Sequence, residues 1–178
     1  MARAHKMVKS CIPKLSEETI EKLALNFQRD REDLFDRLEL MKATDPYAYI
    51  RLQELAFMVG DKSVSERVFY AGGLLYLALD EQITVDNYCR NECKRLPQLD
   101  YRTLDEFDRI CVEDSKDYCE RFKKIWEENQ SISLIAEKVR SAFEDEEGLI
   151  IATAAMVTFY MTLEHQLQRD RLEEIGLL

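Results

Sequence analysis

Apolar residues recur along this chain at helical rather than strand spacing. Ile20, Leu23, Phe27, Leu34, Leu38 and Met41 follow one another at intervals of 3, 4, 7, 4 and 3, a stripe on one helix face with a single gap. Ahead of it, Ser16 followed by Glu17 and Glu18 supplies an N-cap and first-turn acids, with Leu15 and Ile20 placed as a hydrophobic staple. The pattern predicts one amphipathic helix here. Asp45-Pro46, a cap followed by proline at the first helical position, opens a second helix to about Val59. After the break Gly60-Asp61-Lys62-Ser63, a third helix starts near Ser65 and carries the uncharged run 68–79. The order then repeats, with helices expected over about 103–128, 131–143 and from the acidic stretch before Gly148 to about Ile175. No segment alternates with period 2. The expected fold class is all-α, a bundle of six helices.

The second half resembles the first at an offset of 84 residues without a gap. The stripe above maps onto Leu104, Phe107, Cys111, Tyr118, Phe122 and Ile125, and Pro13 and Leu15 fall on Pro97 and Leu99. Asp30, Asp33 and Arg37 fall on Asp114, Asp117 and Arg121, while Tyr76, Leu79 and Gln82 fall on Tyr160, Leu163 and Gln166. Helical period alone accounts for apolar matches but not for these polar ones. The chain therefore reads as a basic arm over 1–11 and two three-helix repeats, 12–95 and 96–178, packed as one compact domain. One repeat of this length buries a small core, so the apolar third helices are expected at the centre, related by a pseudo-two-fold axis. Gly72-Gly73 in one, and Ala152, Ala154 and Ala155 in the other, would permit close approach or mark a kink.

Composition narrows the function classes. The 178 residues hold only 5 Gly and 3 Pro, too few for a many-turned β-sandwich or barrel. The net charge of -10 argues against a phosphate-binding nucleic-acid face. Acidity is concentrated in the second repeat. The uncharged run 148–163 is shorter than the ~20 residues of a membrane span and contains three threonines, so a buried core helix is expected and no membrane association. The N-terminal segment has Arg3, Lys6 and Lys9 without the apolar core of a signal peptide. Five cysteines, an odd number without a dense framework, suit a reducing, cytoplasmic setting. Cys89 and Cys93 would share a helix face, but without CxxC or histidine spacing they are expected to be small buried hydrophobes rather than metal ligands.

Candidate chemistry rests on polar positions present in both repeats. Asp30 and Asp114 occupy the gap in each stripe, and Asp33 and Asp117 follow three residues on. Brought together across an axis, such carboxylates could hold a hard divalent cation or share a proton; as solvated charges beside Arg37 and Arg121 they need no ligand at all. Tyr76 with Asp80, and Tyr160 with Glu164, lie four apart on one face at the end of each apolar run, where a tyrosine could orient a partly buried carboxylate. There is no Gly-rich phosphate loop, GxSxG, HExxH or Glu-x-x-His pair. No cofactor is expected. The reading is a non-enzymatic helical interaction or regulatory module with a duplicated binding surface for a protein partner or a second copy of itself. The alternative is an enzyme, small-molecule- or divalent-metal-dependent, using carboxylates from both repeats.

Overall fold

A computed structural model describes residues 8–140 and 145–178 of the chain, so most of the basic arm and the end of the helix expected to reach 143 lie outside the described residues. Among those described there are eight helices, not six: α1 (Glu17–Arg29), α2 (Arg31–Thr44), α3 (Pro46–Phe57), α4 (Lys62–Arg90), α5 (Tyr101–Glu113), α6 (Ser115–Glu128), α7 (Gln130–Val139) and α8 (Glu146–Glu174). The all-α class stands; the count is corrected because each long amphipathic helix is in fact two. Asp30 has extended backbone, φ -143 and ψ 92, ends α1 by donating its N–H to Asn26 O, and caps α2 through its side chain. Asp114 does the same between α5 and α6. The seven-residue gap in the stripe is a helix break.

Two short strands complete the chain, β1 (Lys9–Ser10) and β2 (Lys94–Arg95), paired in parallel with Lys9 opposite Lys94. The periodicity gives no sign of them. Each is only two residues long, too short for alternation to register.

The core lies along α4 and α8, which pack on each other and carry more buried residues than any other helix, Leu75, Leu79, Met156, Phe159 and Leu163 among them. The remaining helices interleave around this pair: α1 packs on α7, α3 on α8 and α4 on α7, as well as α3 on α4 and α5 on α8. Gly72 and Gly73 make no break in α4, which runs 29 residues. They serve close approach, but not of α8. A Cβ on Gly72 would stand 2.5 Å from Leu52 Cδ2 of α3, and one on Gly73 would stand 2.7 Å from Leu38 Cδ2 of α2. The cysteines are also corrected: all five are free, Cys89 and Cys119 are exposed, and none is fully buried.

Helix bounds recur at the offset read from the sequence. α1 and α5 span 13 residues, α2 and α6 span 14, and α4 and α8 span 29, each pair beginning 84 residues apart. The caps recur too. Ser16, Asp30, Asp45 and Asp61 cap the first four helices, and Asp100, Asp114, Asn129 and Asp145 cap the last four.

Candidate functional site

The repeated spacing of the acidic positions has a local cause. Asp30 Oδ1 accepts the Asp33 N–H at 3.2 Å, and Asp114 Oδ1 accepts the Asp117 N–H at 3.0 Å. The capped N-terminus carries partial positive charge, which suits an acid in the first turn. Asp30, Asp33 and Asp114 are exposed and Asp117 half-buried. Among the described residues no three His, Cys, Asp or Glu side chains gather as metal ligands.

The tyrosines behave differently from each other. Tyr76 does not orient Asp80; its hydroxyl donates to Asp45 Oδ2 at 3.4 Å, inside the protein. Asp45, the cap of α3, is 4% exposed, and burial pushes its carboxyl up to about 6, against the pull of the Ala48 N–H and the Tyr76 hydroxyl. Burial, with the charges of Asp45 and Asp80 behind it, raises the Tyr76 phenol as well. Asp80 is exposed at its surface, yet partial burial raises its carboxyl, Arg37 opposes the shift, and the Glu81 charge adds to it.

Tyr160 and Glu164 instead line an open cleft of about 940 Å³. One wall is the segment leading into α1, with Ile12, Lys14, Leu15 and Ile20; the other is built by α6, the start of α7, and α8. Leu15, Ile20, Leu79 and Ile125 are buried and floor it. Arg121 and Lys124 stand one turn apart on α6, close enough to Glu164 to oppose the rise that burial imposes on its carboxyl. Tyr160 is pushed up to about 12, first by burial and then by the Glu164 charge. Of the sequence candidates, only Tyr160 and Glu164 are brought together in a cavity.

Two glutamines fasten the segments that enter α1 and α5. Gln82 Oε1 accepts the Ser16 N–H at 3.0 Å and the Thr19 hydroxyl at 2.8 Å, and Gln82 Nε2 donates to Asp86. At the matching positions Gln166 Oε1 accepts the Asp100 N–H at 3.1 Å and Gln166 Nε2 donates to Asp170. Each long helix thereby holds the chain entering the helix packed beside it. A second pair of positions also meets in both halves: Lys22 Nζ lies 3.3 Å from Glu81 Oε1, and Glu106 Oε2 lies 3.7 Å from His165 Nε2.

The residues that sequence reading left out are Lys14, Lys124 and Asn129. Their signal was disagreement at the offset: Gln98 answers Lys14, Leu40 answers Lys124 and Asp45 answers Asn129. Matching positions drew attention to what the halves share, whereas the cleft is made where they differ. No family model, curated protein or solved structure matches this chain.

Proposed function

We propose that this protein is a non-enzymatic interaction module, a tandem duplication of one 84-residue, four-helix unit whose two equivalent faces have diverged. The coincident helix bounds, caps and glutamine ties support the duplication, and the packing of α3 on α8 matched by that of α7 on α4 is what an exchange about a pseudo-two-fold would produce. Five free cysteines suit a cytoplasmic protein.

The observation that carries the interaction reading is the apolar exposure of the α2–α3 pair and the turn after it. Leu40 is 63% exposed, Ile50 40%, Phe57 80% and Met58 82%. Large exposed side chains gathered on one element pair mark association surfaces more often than isolated ones do. In the second half Lys124, Ser141 and Ala142 stand at the positions of Leu40, Phe57 and Met58, so the sequence does not repeat this set of large apolar residues.

The partner is another protein or a second copy of the chain, docking on α2–α3. A photo-crosslinking residue placed at Phe57, in the cell that makes the protein, is expected to yield one discrete adduct, self or foreign, that Leu40→Glu abolishes. A chain that stays monomeric by native mass spectrometry and gives no discrete adduct overturns the reading.

A further inference from the structure

From the cleft, at a face separate from α2–α3, we infer a binding site for an organic anion with an apolar body, its head held by Arg121, Lys124 and the Tyr160 hydroxyl. The first half shows what these groups do when no ligand is required of them. There, Arg37 Nη2 is tied to Glu81 at 3.4 Å, the Tyr76 hydroxyl is tied to Asp45, and Gln98 Nε2 donates to Thr44 O at 3.2 Å, drawing the entering segment onto the end of α2.

Three replacements undo this arrangement in the second half, and all act in one direction. His165 replaces Glu81. It is 8% exposed and burial favours its neutral form, so Arg121 loses the equivalent anion; Asp117 stands at 4.0 Å and the Glu164 carboxylate is also near. Asn129 replaces Asp45, and its side-chain oxygen serves the Ser131 N–H, so the Tyr160 hydroxyl lacks the carboxylate that Tyr76 has in Asp45. Lys124 replaces Leu40 and adds a second cation one turn from Arg121. Arg121 and the Tyr160 hydroxyl each lack a partner that their counterparts have, and one positive charge is added, facing a cavity whose floor is apolar.

The chemistry follows from the geometry. A guanidinium offers paired N–H donors that suit a carboxylate or a phosphate monoester, and an ammonium one turn away adds charge without demanding a direction. The floor of Leu15, Ile20 and Ile125 takes an alkyl or aryl body. At about 940 Å³ the cleft lies within the range of small-molecule sites. Three acids also line it, Glu17, Glu128 and Glu164, of which Glu17 and Glu128 are exposed to water, as Lys124 is, so that an anion competes with Glu164 for Arg121 and Lys124.

Titration calorimetry on the full chain with octanoate, 1-naphthyl phosphate and octylammonium tests this. One or both anions are expected to bind saturably at one site, the tighter one naming the head group, and octylammonium is expected not to. Lys124→Leu, which installs the residue of the first half, and Arg121→Gln should each weaken binding at least tenfold. Asn129→Asp keeps an efficient cap and offers Tyr160 a carboxylate, so it should weaken binding too; Arg37→Gln should not. Circular dichroism on each variant confirms that the fold is retained, and Lys124→Leu and Asn129→Asp serve if Arg121→Gln is lost to misfolding. The inference is overturned if neither anion saturates, if octylammonium binds as tightly, or if the folded cleft variants bind as the parent does.

Discussion

Arg51, 4% exposed on α3, places Nη2 2.6 Å from Asp108 Oδ1 on α5, joining the two halves of the chain. Its Nε donates to Thr162 Oγ1 at 3.3 Å, Nη1 reaches Glu54 at 3.2 Å, and the guanidinium lies 5.4 Å from the Phe107 ring centre. Asp108 is more than half exposed, so the pair is asymmetric: one end is sealed in, the other wet. Losing the wet end leaves Arg51 with Glu54, whereas losing Arg51 opens a hole beside Phe107. Asp108→Ala is expected to cost about 1 kcal/mol and Arg51→Ala roughly 2–4 kcal/mol in urea unfolding. Equal costs would mean that the ion pair, not the packing of the arginine stem, dominates.

Asp45 makes stability depend on pH. Its folded value of about 6 lies above the ordinary 3.8, so the folded state binds the proton more tightly than the unfolded one. Stability contributed by the protonated group is therefore present below about pH 4 and lost as pH rises through 6. Asp45→Asn keeps the cap and an acceptor for Tyr76 without the charge. It is expected to raise stability by on the order of 1–3 kcal/mol at pH 7 and by little at pH 4, since each tenfold change in proton affinity corresponds to about 1.4 kcal/mol. Denaturant titrations at the two pH values check the difference.

The caps make the repeated acids structural. Asp30→Ala and Asp114→Ala should each cost about 1 kcal/mol, while Asp30→Asn should be close to neutral, because asparagine caps as well. If added Mg²⁺ or Mn²⁺ raises the thermal midpoint of the parent and fails to do so in these variants, the carboxylates hold metal after all.

Gly72 and Gly73 sit where a methyl group has no room. The gain in helix propensity from Gly72→Ala, about 1 kcal/mol, is set against overpacking of about 1–3 kcal/mol onto Leu52, so net destabilisation is expected. Leu52→Ala opens the space, and the double variant should be markedly less destabilised than the sum of the singles. The second half already carries the exchanged sizes: Met156 stands at the position of Gly72 and Ala136 at that of Leu52, both buried. Thermal unfolding of the four proteins of the cycle decides it.

Much of this fold was legible in the sequence because caps and stripes are local. Ser16, Asp45-Pro46 and the break at Gly60 placed helix ends within a few residues. Asp30 was misread because a seven-residue interval suits both an unbroken helix and two helices meeting at a cap; the acid three positions later, Asp33, was the clue to the second. The partner of Tyr76 was not legible. Asp80 is its neighbour along one helix, but Asp45 reaches it from another element 31 residues away, and helical spacing says nothing about such approaches. The cleft was half legible: Tyr160 and Glu164 stood out as shared positions, while Lys124 and Asn129 matter because they break the correspondence.

The interleaving of helices reaches beyond symmetry. With α1 laid on α7, and α3 and α7 each spanning to the other half's long helix, neither half possesses a complete interior of its own. Cutting the link near β2 would not release two working modules. It would leave two fragments, each an open surface, able to recover the native shape only by finding one another.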